Sequence, residues 1–269
     1  MTLFAHVSDT HITTGPLGVE ATQRATDALF RVQAMSPRPA FVVISGDLVD
    51  HGSAEEYELA TAVLNSIDLP VHVVPGNHDH AATLLEHLAA AGHAQAAPDE
   101  ADRCYYRVDY PELTMLCCDS SVVGRDDGEL GPPQLRWLDH QLSASGDRPV
   151  VLTMHHPPVP SGIAAMDAIM LCDATDLAQV LNRHDPVQRL LVGHLHRATT
   201  TTFAGTVVTS APSTYRQVHL NLMPEALGAF VEEPPGLLLH QLGASQTVTH
   251  YVHVRASGPP VGPVWTVTT

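Results

Sequence analysis

The chain contains no lysine. Its permanently charged cations are 13 arginines, set against 29 aspartates and glutamates, so the formal charge is −16 with histidine neutral. Such a surface repels polyanions. Duplex nucleic acid and anionic membranes are excluded as partners, because affinity for either rests largely on Lys and Arg placed against phosphates. A small phosphate ester is not excluded, since bound metal ions reverse the local field. Long hydrophobic runs are also missing. No stretch of about 18 uninterrupted apolar residues occurs, and the N-terminal MTLFAHVSDTH has no basic segment leading into an apolar one, so a cytoplasmic location is expected. Cysteine is scarce: residues 104, 117, 118 and 172 lack any CxxC spacing, and four cysteines in 269 residues do not form a disulfide scaffold. Reduced, mostly buried thiols are the expectation.

What is present is a 44% hydrophobic composition, enough to bury a full core in one large domain with or without an appendage. There are also 18 histidines, more than there are arginines. Histidine is the commonest metal ligand, so their clustering matters.

Short β-rich runs alternate with amphipathic stretches: Leu3–Val7, a helix over Glu20–Met35, Phe41–Ile44, a helix over Ala54–Ile67, then Val71–Val74. The alternation predicts βαβ units. Strands are expected at Tyr105–Val108, Leu113–Cys118, Val150–Met154 and Leu190–Val192, and helices at Pro133–Leu142 and Ala174–Asn182. After about Ala198 the pattern turns to strands with short connections: Thr199–Phe203, Val207–Ser210, Tyr215–Leu222, Leu237–Leu242 and Val248–Val254. Met223–Pro235, rich in proline and glutamate, reads as an exposed excursion.

Five of these strands run straight into polar clusters. Leu3–Val7 leads to Ser8-Asp9-Thr10-His11, Phe41–Ile44 to Ser45-Gly46-Asp47, and Val71–Val74 to Pro75-Gly76-Asn77-His78-Asp79. Val150–Met154 leads to His155-His156, and Leu190–Val192 to Gly193-His194-Leu195-His196. The carboxyl ends of strands in an α/β sheet lie along one edge, so these distant residues converge. Asp9, His11, Asp47, Asn77, His155, His194 and His196 together supply two carboxylates, one carboxamide and four imidazoles. Seven donors exceed one tetrahedral site and suit two adjacent ions if a carboxylate bridges, for which Asp47 is the natural choice. Each motif alone has a bland reading: Asp-x-His as a strand end, Gly-Asn as turn chemistry, His-x-His as two solvated side chains. The five in order, each at a strand end, point to a metal site.

This set of motifs resembles the calcineurin-like binuclear metallophosphoesterase superfamily. The resemblance implies an α/β fold, a four-layer α/β/β/α sandwich. It places Asp9, His11, Asp47 and His196 on one metal and Asp47, Asn77, His155 and His194 on the other. It further implies that Asn77 and His78 contact the phosphate, that His78 is the catalytic proton donor, and that Asp79 supports the His78 ring. His156 is left without a metal role. Mixed N/O sites accept Fe, Mn, Zn or Co. Hydrolysis by a hydroxide held between the ions is the chemistry such a centre provides.

Gly46-Asp47-Leu48-Val49-Asp50-His51 lacks the arginine that protein phosphatases carry after the second aspartate, and the charge disfavours nucleases. The stretch His155–Gly162 with Met166-Asp167, and Thr202–Gly205 before Ala211–Tyr215, are similar to bacterial class III cyclic nucleotide phosphodiesterases and related glycerophosphodiesterases. The resemblance therefore implies a small-molecule phosphodiester substrate. Residues 1–215 are expected to form the catalytic domain and 216–269 a C-terminal β-rich cap that makes a homodimer or higher oligomer, using exposed apolar runs at Gly236–Leu239 and Val261–Val267 and placing His219 or Tyr215 near the substrate entrance; the alternative is a tail that only covers the sheet of its own chain. A phosphomonoesterase and a non-catalytic metal-binding module remain as alternatives at this point. Arg197 is read either as a phosphate guide or as a solvated surface residue.

Overall fold

The computed structural model describes residues 1–185, 187–243 and 246–255. Thr2–Val7 (β1) opens the chain, and Gly18–Gln33 (α1) buries Ala21, Ala25, Ala28, Leu29 and Val32, a stripe at helical spacing. Val42–Ser45 (β2) leads to Ala54–Leu64 (α2), which starts at a capping box: the Ser53 hydroxyl accepts from the Glu56 N–H, and the Glu56 carboxylate accepts from the Ser53 N–H. Val71–Val74 (β3), Ala81–Leu88 (α3), Tyr106–Tyr110 (β4) and Leu113–Cys117 (β5) follow. Gly131–Ser145 (α4) has proline in its first turn, where the missing N–H costs nothing. Then come Val150–Thr153 (β6), Ala164–Asp167 (α5), Ala174–Leu181 (α6) and Arg189–Val192 (β7). Six further strands close the described chain: Thr199–Phe203 (β8), Thr206–Ser210 (β9), Gln217–Val218 (β10), Phe230–Val231 (β11), Gly236–Leu242 (β12) and Thr247–His253 (β13).

The strands form a five-stranded sheet in the order β13-β12-β1-β2-β3, a six-stranded sheet in the order β4-β5-β6-β7-β9-β8, and a separate β10-β11 ribbon. The β1-β2-β3 and β5-β6-β7-β9 runs are parallel. One apolar cluster joins α1, α2 and α3 to the first sheet and to the inner side chains of the second, such as Leu113, Met115 and Cys117. Another joins the far face of the second sheet to α4 and α6. These layers form the expected α/β/β/α sandwich. Its parallel runs aim the C-terminal ends of β1, β2, β3, β6 and β7 at one rim.

The tail divides between two places. β12 pairs antiparallel with β1, from Thr2↔Leu242 to His6↔Leu238, and β13 pairs with β12. Gly236–Leu239 is therefore not the exposed run expected from the sequence, because Leu237 and Leu238 are buried between β1 and β13. In the intervening segment 216–235 the expected strand Tyr215–Leu222 shrinks to Gln217–Val218, which are buried, and residues 219–235 stay on the surface. The expected run Val261–Val267 lies outside the described residues. No helix among the described residues is long and apolar enough to cross a membrane.

Candidate metal centre

Three of the strand-end loops, those after β1, β2 and β7, share an unusual backbone. Among the described residues, six non-glycine positions have positive φ, and five of them are Asp9, His11, Asp47, His194 and His196. A non-glycine residue held in this region costs of order 1 kcal/mol or more, so it persists only where the surroundings enforce it. Here the enforcing contacts are backbone bonds between loops: Asp9 N–H donates to Gly46 O (3.1 Å), and His11 N–H to Asp47 O (3.0 Å). Glycine provides the clearance. A Cβ on Gly76 would fall 2.2 Å from Asp47 Oδ1, one on Gly46 would fall 2.4 Å from His155 Nδ1, and one on Gly193 would fall 2.1 Å from Ser8 Oγ. The sequence places a glycine directly before Asp47, Asn77 and His194, and close approach is the reason.

The seven predicted donors come together as two groups that share one atom. His11 Nε2 and His196 Nε2 are 3.1 Å apart, with Asp47 Oδ2 3.6 Å from the former and Asp9 Oδ1 3.4 Å from the latter. On the other side, His155 Nε2 lies 3.4 Å from the same Asp47 Oδ2, 3.1 Å from Asn77 Oδ1 and 3.3 Å from His194 Nδ1. Asp47 is held by one oxygen to free the other: its Oδ1 accepts the His78 backbone N–H at 3.0 Å.

Hydrogen bonds behind the rings decide what faces this point. His11 Nδ1 donates to Asp50 Oδ1 (3.0 Å), His155 Nδ1 to the Ser45 carbonyl (2.8 Å) and His196 Nδ1 to the Arg216 carbonyl (2.6 Å). In the neutral tautomer, each therefore turns a lone pair on Nε2 toward the cluster. With the rings neutral, lone pairs and carboxylate oxygens converge within 3.1–3.6 Å and repel unless a positive charge, a metal ion or a proton such as the one His155 takes up beside Asp47, lies between. Asp9 Oδ2 is buried with no hydrogen-bond partner, which adds to the demand. The donor set thus fits metal ions, and its mixture of imidazole, carboxylate and carboxamide suits first-row transition metals.

The charges agree. Burial pushes Asp9 up to about 6. Burial alone would depress His155, but the Asp47 charge overrides it and lifts the ring to about 9, while His155 in return holds Asp47 well below the usual carboxylate range. Asp47 thus draws positive charge to the shared oxygen. His196, lowered to about 4 by burial, and His194, lowered well below its ordinary value by the same cause, stay neutral, the form that binds a metal.

Around this centre the structure refines several expectations. His156 is buried with Nδ1 on Ser120 Oγ (2.8 Å) and Nε2 on the Asp126 carbonyl (3.1 Å), so both ring nitrogens are engaged away from the cluster. Asp79 does not touch the His78 ring. It accepts from the N–H groups of Leu48, Val49 and Gly76 and from the Tyr57 hydroxyl at 2.9–3.3 Å, which staples the β2 and β3 loops together. Its short side chain is spent beneath the loops. The His78 ring is oriented by Asp50, whose carbonyl accepts from Nδ1 at 2.8 Å and whose carboxylate also holds His11. Asp50 has a sequence signal, its fixed place in Gly-Asp-Leu-Val-Asp, but sequence alone gave it no role. Arg197 is neither a phosphate guide nor free in solvent: its guanidinium grips Glu233 (3.0 and 3.2 Å) and the Val218 carbonyl (2.6 Å).

The cluster opens into a cavity of about 180 Å³ walled by His11, Asp50, His78, His196, Leu17, Tyr215, Arg216 and Phe230. The last four carried no sequence signal of function beyond a place for Tyr215 near an entrance.

The sequence profile of the calcineurin-like phosphoesterase family matches residues 2–198. A probable glycerophosphodiester phosphodiesterase from Arcobacter nitrofigilis is 33% identical over 97% of this chain and 95% of its own length. A probable cyclic nucleotide phosphodiesterase from Rhodococcus erythropolis is 35% identical over 81% of this chain and 72% of its own. Among solved structures, a dimetal phosphatase from Danio rerio superimposes with a TM-score of 0.71 at 18% identity, covering 94% of this chain and 96% of that one, a likeness of fold.

Proposed function

The chain belongs to the calcineurin-like phosphoesterase family, and from that premise we propose that it is a two-metal phosphodiesterase that hydrolyses small phosphodiesters, either 3′,5′-cyclic nucleotides or glycerophosphodiesters, to monoesters. The observation that carries this reading is the shared oxygen: Asp47 Oδ2 lies within 3.6 Å of a ring nitrogen in each donor group, the arrangement a pair of adjacent ions requires. Asp9, His11, Asp47 and His196 would hold one ion, and Asp47, Asn77, His155 and His194 the other. Bound there, two ions would polarise the phosphoryl oxygens and acidify water at neutral pH. Fe, Mn, Zn and Co all suit the donors.

The chain's own residues supply the remainder. His78 lines the cavity beside the cluster and Asn77 stands at the cluster itself, where a phosphate oxygen would meet them. Burial opposes protonation of His78, but the Asp47 charge and the Asp50 carbonyl raise its pKa above the ordinary histidine value. With Nδ1 committed to Asp50, the proton available to a departing alkoxide is the one on Nε2. A proton at that atom serves a leaving group of high pKa most.

Turnover of bis(p-nitrophenyl) phosphate and p-nitrophenyl phosphate by metal-analysed protein with added manganese tests the reading. A higher kcat/KM for the diester supports it. A higher value for the monoester assigns a monoesterase, and no turnover of either leaves a metal-binding module. The four unpaired cysteines suit a reducing compartment, the support for a cytoplasmic enzyme. A homodimer built through the 216–235 segment is supported by its exposed Leu220, Leu222, Met223 and Leu227. Light scattering at micromolar concentration should then give twice the 28.8 kDa chain mass.

A further inference from the structure

Phe230 occupies an odd place for a large apolar side chain. It is 60% exposed, yet its ring centroid lies 5.2 Å from that of His196, one of the metal donors. It stands in the short β10-β11 ribbon, in register with Val218. That ribbon is fastened to the metal loop from below. His196 Nδ1 donates to the Arg216 carbonyl, and the neighbouring Arg197 grips the Val218 carbonyl and the Glu233 carboxylate. The loop that presents His196 to a metal therefore also fixes the position of Phe230. Across the same cavity stands Leu17, 46% exposed. The adjoining Arg216 has a buried Nε with no hydrogen-bond partner, and its guanidinium lies 4.9 Å over the Tyr215 ring.

We infer that Phe230 is a specificity-determining residue: a flat platform on which the aromatic base of a nucleotide ester stacks while its phosphate is held at the metal cluster. This rests on the phosphodiesterase reading and selects, within it, esters with a planar aromatic arm over glycerol-type esters. A glycerol arm gains little from an exposed aromatic face, because its hydroxyls keep their water. A purine or pyrimidine offers a π face to stack, and stacking on an aromatic side chain typically alters affinity about tenfold on replacement by alanine. The distance fits. His196 and Phe230 wall the same cavity with ring centroids 5.2 Å apart, so an arm on a phosphate held at His196 lies within reach of the Phe230 ring.

The test uses the metal-loaded full chain and two substrates, adenosine 3′,5′-cyclic phosphate and methyl ribofuranoside 3′,5′-cyclic phosphate, which share the reacting ring and differ only in the base. In Phe230→Ala the ratio of their kcat/KM values should fall about tenfold, through KM, and Phe230→Tyr, which keeps the ring, should restore it. An equal loss on both substrates, or an unchanged ratio, overturns the inference. Calorimetry reads the same residue without turnover: Kd for adenosine 5′-monophosphate should rise about tenfold in Phe230→Ala, and that for ribose 5-phosphate by much less. Equal changes in the two Kd values overturn it as well. A wild-type chain that cleaved neither cyclic ester would remove the cyclic-nucleotide branch of the proposed activity, and the calorimetric comparison would still decide the role of Phe230.

Discussion

The loops beneath the donor cluster and the 216–235 segment above it are built in opposite ways. The loops hold five non-glycine residues at positive φ, bury Asp9, Asp47, His155 and His194, and tie themselves together through Asp79, Tyr57 and inter-loop backbone bonds. The overhanging segment has a ribbon of two residues per strand, exposes Leu220, Leu222, Met223, Leu227 and Phe230, and is pinned chiefly by Arg197 and by the Arg216 carbonyl. Chemistry at phosphorus needs donors fixed to fractions of an ångström. Selection of an ester arm needs only a surface of the right character, so it can reside on a segment that few bonds hold. A metallophosphoesterase built this way can change its substrate without disturbing its metals.

Changes in the lower region should therefore act on chemistry, and those in the upper region on binding. His78→Ala should keep both metals and lower kcat by about 10²–10⁴ for alkyl esters, with a smaller loss for nitrophenyl esters, whose leaving group needs no proton. Steady-state rates on matched methyl and nitrophenyl diesters check this, and equal losses would leave His78 as a phosphate-binding group only. Gly76→Ala, placing a methyl 2.2 Å from Asp47 Oδ1, should displace the shared carboxylate and cost about 10² in kcat/KM. Metal analysis should show the ion content falling with it.

The inner face of the first sheet, packed toward the second, makes a third point of comparison. His6 and His240 are wholly buried and stacked at 5.6 Å; burial lowers His6 to about 3 and His240 well below its ordinary value. The unfolded chain takes up these protons below about pH 6.5 and the folded chain does not, so stability is lost as pH falls from there toward 3. The loss should reach about 2 kcal/mol per buried histidine at pH 5. His240→Gln should remove one share, flattening the acid limb of a urea-midpoint against pH plot by about 2 kcal/mol over that range. The smallest effect is expected above the metals. Arg197→Ala breaks a partly exposed ion pair with Glu233 and should cost under about 1 kcal/mol of stability by urea unfolding. Its KM for a base-bearing ester should rise a few-fold, with kcat nearly intact.

The same contrast explains what the sequence could reveal. Asp9, His11, Asp47, Asn77, His155, His194 and His196 were legible because each follows a run of apolar residues that can only be a buried parallel strand, and the topology carries strand ends to one edge. Glycines at 46, 76 and 193 marked the close approaches. The partner of the His78 ring was not legible, since Asp79 adjoins it in sequence while Asp50 lies one loop away, and only packing decides which of them meets the ring. The tail misled for a related reason. Gly236–Leu239 is apolar enough for a subunit interface or an internal strand, and pairing with β1 is a contact across more than 230 residues that no local pattern encodes. Phe230 and Leu17 were silent because an apolar residue in a two-residue strand or a loop has no period and no motif.

The central claim, that one carboxylate oxygen joins two metal sites, is tested most directly by metal analysis of Asp47→Ala beside the wild-type chain. Two ions per wild-type chain are predicted, with a loss at both sites and no measurable diester turnover in the variant. An Asp47→Ala protein that retained two ions per chain and hydrolysed bis(p-nitrophenyl) phosphate at the wild-type rate would contradict the account.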